Sequence, residues 1–479
     1  MQLQELEVRL KQIPMPELPV EERLQAFNDV PLGYAEEQAL AEAARCLQCE
    51  NPLCVDMCPL HIDIPGFIRL IRLGAFREAA ERVREKSCLP SVCGSVCPQE
   101  ALCMMGCKNT LGDPVCIGAL ERFVAEWELE RGANIPKIPS PTGKSIAVVG
   151  SGPAGLSVAT ELAKMGHRLV IFEALHEVGG VLTYGIPAFR LQKKVVKQEI
   201  DYIRKLGVEI RTNIIIGKTL TVDELFEEGF HSVFLGTGAG LPKFLGILGE
   251  NLCGVYSLNE FLIRINLMKA HGFPHKSITP IKIRGKVAIL GARGLDAARC
   301  ALRLGAEEAS IFYQRKVVGR VDEIRRGTEE GVKFQPSTKP LRLIGDAKGW
   351  VKQVELTMLE LGPPGKTGKP KLVPKIGSEF LYDAEIVVIA TEHIPNTLAA
   401  GNSSKNVKIT EKQKTICVDP ETLEASQGVF AGGDVVSGAA SVIKAIEAGK
   451  RAAQSINEYL MKYQRKETHI SKADTFPAH

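Results

Sequence analysis

The chain has 479 residues and a mass of 52.1 kDa, too long for one hydrophobic core, so about three domains are expected. Its 60 Lys and Arg against 56 Asp and Glu leave a net charge of only +4, a balance that argues against nucleic acid or anionic lipid as partners. The opening stretch MQLQELEVRLKQIPMPELPVEERL is charged and broken by prolines, which argues against a signal peptide or membrane anchor, and later apolar runs such as EIVVIAT (385–391) are only strand-length.

In chain order, Leu3, Leu6, Leu10 and Ile13 fall three or four apart and predict a short helix that Pro14 ends. Residues 36–48 and 66–86 show the same spacing, and no strand alternation precedes residue 140, so residues 1–138 are expected to form a helical domain. ANIPKIPSPTGK (133–144) reads as a linker. From Ser145 strand and helix patterns alternate through SIAVVG, RLVIFEA, a helix near 194–206, VEIRTNIII and SVFLGTGAG, a parallel α/β unit over 145–275. GKVAILG (285–291), LDAARCALRLG and ASIFYQR open a second such unit, taken as 276–380 and carrying a hairpin at 351–382 with a Pro/Gly/Lys-rich tip. Residues 381–460 return to buried-strand composition and, through GVFAGGDVVSGAASVIKAIEAGKRAAQSI, complete the first unit; residues 461–479 read as a loose polar tail.

Ten of the 13 cysteines lie between Cys46 and Cys116. A protein of the reducing cytoplasm is expected, where such spacing marks a metal site rather than disulfides. Cys46, Cys49, Cys54 and Cys58 stand as CxxCxxxxCxxxCP, and Cys97, Cys103 and Cys107 as CPxxxxCxxxC. Zinc also takes four thiolates at CxxC spacing, but a proline directly after a cysteine (Pro59, Pro98) favours iron–sulfur clusters. Cys88, Cys93 and Cys116 fall outside the spacing, and Cys253, Cys300 and Cys417 read as ordinary thiols.

Gly150, Gly152 and Gly155 form GxGxxG between a strand and a helix, where backbone can approach a pyrophosphate, and Glu173 closes the next strand where a carboxylate can meet a ribose. The second unit has a turn of the same kind, GARGLDAAR (291–299), followed by YQRKVVGR (313–320), whose Arg315, Lys316 and Arg320 with no acid favour the 2'-phosphate of NADP or form a solvated basic loop.

The cysteine strings, GSGPAG, GGVLTYGIPAFRL, FLGTGAGLP and AGGDVVSGAASVIKAIEAGKRAA together resemble the glutamate synthase small-subunit family, which includes the flavin subunit of NADH-dependent ferredoxin:NADP oxidoreductase and the N-terminal half of dihydropyrimidine dehydrogenase. The resemblance covers about residues 30–460 and implies a helical domain with two 4Fe-4S clusters ahead of an α/β flavoprotein fold, its FAD domain interrupted by an NAD(P)-type domain. It implies crossed ligation, with Cys46, Cys49, Cys54 and Cys107 on one cluster and Cys58, Cys97, Cys103 and Glu121 on the other. For FAD it adds Pro153, Ala154, Gly180, Leu182, Arg190, Gly238, Gly433, Asp434 and Ala440 to the glycine turn and Glu173; for NADP it implies Gly291 and Arg293 with the basic loop. The function implied is an oxidoreductase subunit that passes electrons from NAD(P)H through FAD and the clusters to a partner subunit.

The second unit departs from the family in three ways. Its turn is two residues shorter than the relatives' GGGNVAMDAAR, its basic loop is shorter, and Glu392 stands where the family has glycine in AxGxxPN. These departures leave a second expectation open, an electron-transfer adaptor with FAD and clusters but a vestigial nicotinamide pocket.

Overall fold

The computed structural model describes residues 11–109, 112–275, 277–281, 283, 285–364 and 370–473, with side chains up to residue 462. The predicted helix over Leu3–Ile13 falls largely outside them, as does the tip of the predicted hairpin.

The cysteine-bearing region is helical throughout. Its main helices are α1 (Glu36–Ala44), α2 (Ile64–Arg72), α3 (Phe76–Arg84), α4 (Pro90–Val96) and α5 (Ile117–Arg131). Helix α2 starts where Asp63 accepts a hydrogen bond from the Gly66 amide, with Pro65 in its first turn, and buries Ile64, Phe67, Ile68 and Ile71 on one face.

Beyond the linker, β1 (Ser145–Val149), α6 (Pro153–Lys164), β2 (Arg168–Phe172), α7 (Lys193–Lys205), β3 (Glu209–Arg211) and β4 (Ser232–Leu235) build a parallel sheet in the order β4-β1-β2-β3. All five residues of β1 are buried, as expected for a strand covered on both faces. The chain then leaves this sheet. It forms a second parallel sheet from β5 (Val255–Ser257), β6 (Lys286–Leu290), β7 (Glu308–Phe312), β8 (Lys333–Gln335) and β13 (Ile386–Ile389), in the order β5-β13-β6-β7-β8. Helices α8 (Leu258–Asn266), α9 (Leu295–Arg303) and α10 (Val321–Glu329) belong to it. The predicted hairpin is part of a four-stranded antiparallel sheet of β9 (Thr338–Gly345), β10 (Val351–Pro364), β11 (Pro370–Pro374) and β12 (Phe380–Asp383).

The chain finally returns to the first sheet. Strands β14 (Glu424–Ser426) and β15 (Val429–Ala431) extend it, with β15 parallel to β4. The last helix, α11 (Val442–Ala473), packs along α6. It runs well past Leu460 into the stretch read as a loose tail, because no proline or glycine follows Gly449 within it.

One hydrophobic core joins the helical domain to the first sheet. It contains Cys58, Cys97, Cys103, Phe67 and Leu120 together with Ile146, Ala154, Leu156 and Ile443. A buried ion triad reinforces the seam: Arg84 of α3 donates to Glu128 of α5 at 2.7 Å and to Glu199 of α7 at 3.0 Å.

Candidate functional site

Two thiol-lined cavities lie in the helical domain. Cys46, Cys49, Cys54 and Cys107 line one, together with Leu47, Leu53 and Ile68. Cys58, Cys97, Cys103 and Glu121 line the other. Residues far apart in sequence thus meet as two groups, with Cys107 crossing from the second cysteine string to the first cavity and Cys58 from the first string to the second. Each group of thiols lines a cavity between the helices of this domain.

Burial pushes the Cys54 thiol up to about 12, with the neighbouring Cys107 adding to it, and burial likewise raises Cys58, Cys97 and Cys103. Such thiols ionise only against a metal's positive charge, so loading the cavities releases protons. Glu121 is buried, its Oε1 has no hydrogen-bond partner, and burial raises its carboxyl to about 8. An orphaned carboxyl oxygen facing three thiols is a donor set that fits a cluster with one oxygen ligand.

The second cavity is also lined by Ile443, at the start of α11, only a few residues beyond Asp434. That contact leads to the flavin-type cradle, where three loops meet at the N-terminus of α6. Gly150 (φ +97°) turns the chain so tightly that a Cβ there would lie 2.6 Å from the Gly236 oxygen, and one on Gly155 would lie 2.0 Å from the Gly150 oxygen. The loop carrying Gly180 presses against this turn, since a Cβ on Gly180 would sit 2.8 Å from Gly152 Cα. The loop carrying Gly433 rests on Ala154 in the same way, at 3.0 Å. Gly152, the residue that precedes α6, has open space where a Cβ would be. A closely packed glycine turn with free room above Gly152 fits the pyrophosphate of a dinucleotide.

Glu173 is buried at the end of β2 and accepts hydrogen bonds from the Ser151 amide at 2.9 Å, the Ser151 hydroxyl and the Leu175 amide. Ser151 is a partner the motif alone did not single out. Leu182 is fully buried, Gly238 adopts φ +70° and accepts from the Asn396 amide, and Asp434 accepts from the Ala440 amide at 3.2 Å. Arg190 is engaged elsewhere: its guanidinium pairs with Asp296 at 2.5 Å and Glu323 at 3.5 Å, both on helices of the second unit.

In the second unit Gly291 adopts φ +135°, and a Cβ there would lie 2.2 Å from the Ala390 oxygen. Helix α9 starts after Gly294, which packs against Ile289 of β6, so the shortened turn still makes a strand–turn–helix. Arg293 follows in that turn and is half-buried. The Val318 amide donates to the Ala292 oxygen at 2.8 Å, holding the basic loop against the turn with Arg315 and Lys316 exposed. Arg320 faces another way. It donates to the Ser95 oxygen at 2.8 Å and pairs with Asp322 and Glu100, bridging to the helical domain. Glu392 is exposed and turned to Lys243, 3.2 Å away.

Comparison with known proteins agrees with this arrangement. Residues 23–133 match the family described as dihydropyrimidine dehydrogenase domain II, 4Fe-4S cluster, and residues 144–449 match the pyridine nucleotide-disulphide oxidoreductase family. The chain is 33% identical over 468 residues to the glutamate synthase [NADPH] small chain of Escherichia coli, covering 95% of this chain and 98% of that one. It is 36% identical over 438 residues to the beta subunit of the NADP(+)-dependent formate dehydrogenase of Moorella thermoacetica, covering 85% of this chain and 60% of that one. Among solved structures, FprA of Mycobacterium tuberculosis in complex with NADPH shares the fold, with a TM-score of 0.55 at 17% identity over 68% of this chain and 86% of that one. Cysteine-lined cavities ahead of a flavoprotein fold, and likeness along nearly the whole length, lead to one conclusion: the chain belongs to the glutamate synthase small-chain family, whose members are oxidoreductases with FAD and 4Fe-4S clusters.

Proposed function

We propose that this oxidoreductase subunit takes reducing equivalents from NADPH at its second dinucleotide unit and delivers them as single electrons to a partner subunit. The observation that carries this reading is the shared core, in which the second thiol cavity is lined by Ile443 from the helix that follows the flavin-side loop. When bound, FAD accepts an electron pair and 4Fe-4S clusters conduct electrons one at a time.

The protein's own residues supply position and exclusion of water. The Gly150–Gly155 turn, the Gly180 loop and the Gly433–Asp434 loop hold the dinucleotide, and Glu173 faces its ribose with Ser151 fixing the carboxylate. Cys46, Cys49, Cys54 and Cys107 hold one cluster; Cys58, Cys97, Cys103 and Glu121 hold the other. The Arg84 triad keeps the helical domain from shifting against the flavin unit. Leu47 and Leu53, which line the first cavity, and Met105 nearby are strongly exposed, an apolar rim suited to a redox partner.

For the nicotinamide, the preserved turn at Gly291, the basic loop tied to it and the outward-turned Glu392 support binding, with Arg315 and Lys316 on the 2'-phosphate. Anaerobic titration of the reconstituted protein with NADPH should bleach the flavin absorbance. Flavin that dithionite reduces and neither NADPH nor NADH does would instead establish the adaptor, a reading favoured by the two residues missing from the turn. Replacing both Arg315 and Lys316 by alanine should weaken NADPH binding by about tenfold or more, roughly 1.4 kcal/mol, and leave NADH binding unchanged. Equal losses for the two nucleotides would take the 2'-phosphate away from this loop.

A further inference from the structure

The second thiol cavity has one donor too many. A 4Fe-4S cube offers four corners, and Cys58, Cys97, Cys103 and Glu121 would fill them, yet Cys93 lines the same cavity. Its position follows from the fold. Cys93 lies in α4 four residues before Cys97, which directly follows the helix, and the Cys97 amide donates to the Cys93 oxygen at 3.1 Å, so the two thiols stand close together at its C-terminal end. Helix α4 approaches α5 with almost no gap, because a Cβ on Gly94 would lie 2.5 Å from the Arg122 amide nitrogen. That approach brings Cys93 to the cavity wall that Glu121 also forms.

Both side chains are buried at that wall. Cys93 is 2% exposed, and its thiol hydrogen-bonds weakly with the Ser87 hydroxyl at 3.6 Å. Glu121 is 7% exposed and its Oε1 has no partner. A buried orphan oxygen and a buried thiol therefore face the same space, and thiolate is the usual protein ligand of a 4Fe-4S cluster.

We propose that Cys93 is an alternative ligand for the fourth corner of the second cluster, exchanging with Glu121, so that this cluster exists in an oxygen-ligated and an all-thiolate form. The inference rests on the cluster assignment made above. In the exchange the Fe–O bond to Glu121 breaks and an Fe–S bond to Cys93 forms, while the thiol proton passes to the freed carboxylate. No electron is transferred and the net charge of the site is unchanged. Because a carboxylate and a thiolate set different potentials, the two forms differ as electron relays.

The test is Mössbauer spectroscopy of protein reconstituted with ⁵⁷Fe, with iron and sulfide counted per chain. Glu121→Ala should keep about eight iron atoms per chain, four per cluster, and show only thiolate-ligated iron. The double variant Glu121→Ala, Cys93→Ser should lose about four, or leave one iron with an oxygen ligand. An oxygen-ligated or missing fourth iron in Glu121→Ala alone would overturn the proposal, and that measurement stands even if the double variant does not fold. Failure of the underlying cluster assignment looks different: the parent protein itself would then hold fewer than two clusters.

Discussion

Replacing Gly152 by alanine is expected to leave the flavin-free protein as stable as the parent and to weaken FAD binding by on the order of a hundredfold, ~2.8 kcal/mol. The expectation comes from an asymmetry within the glycine turn. At Gly155 a Cβ would meet the Gly150 oxygen at 2.0 Å, so a substitution there damages the turn itself. At Gly152 it would meet no protein atom within 4 Å, and the backbone angle (φ −70°) is one that alanine adopts freely. The only thing such a methyl group can displace is the ligand. Urea unfolding of the apoproteins together with FAD titration separates the two effects. Equal affinity in parent and variant would show that the pyrophosphate does not lie over Gly152.

A comparably large effect is expected on stability from Arg299→Ala. Arg299 is fully buried in α9; its Nε and Nη2 donate to Glu330 at 2.8 Å, and its Nη1 donates to Glu323. Truncation leaves buried carboxylates short of a counter-charge, at a cost of about 3–5 kcal/mol. The acid limb of the stability profile should move as well. Burial alone would raise the Glu323 carboxyl, but the guanidinium groups of Arg190, Arg299, Arg326 and Arg320 outweigh it and hold it down to about 2, against an ordinary 4.5. A carboxylate whose value is lower when folded stabilises the fold above its unfolded value, and that contribution is lost as pH falls from 4.5 towards 2. With one of these four cations removed, the folded value should rise towards 4.5, so the loss should be smaller and complete at higher pH. Urea midpoints measured across this range for parent and variant provide the check, and superimposable profiles would exclude Arg299 as the group that holds Glu323 down.

Much of the fold could be read in the sequence because its signals are local. A buried apolar run, a glycine turn and an apolar-faced helix lie within about thirty residues of one another, as in β1, α6 and β2. The cysteine strings were legible for the same reason. What escaped reading depends on distant partners. The guanidinium of Arg190, expected at the flavin, is met by Asp296, 106 residues further on. Arg320, expected at a nucleotide phosphate, is drawn to Ser95 across 225 residues. Cys93 gave no spacing signal, because its place on the cavity wall comes from the close approach of two helices at Gly94. The continuation of α11 past Leu460 was missed for another reason: its polar C-terminal half lacks the apolar stripe by which helices are recognised, although its backbone is unbroken.

The return of the chain to its first sheet governs how the protein is made. The hydroxyl of Ser232 on β4 bonds to the oxygen of Gly428, 196 residues later, and β15 completes the sheet alongside β4. A nascent chain that has emerged only as far as β13 has an open sheet edge and lacks both the Gly433 loop and the Ile443 wall of the second cavity. Flavin capture and closure around the second cluster therefore wait for β15 and α11 to join the first sheet, across the second unit that separates the two halves.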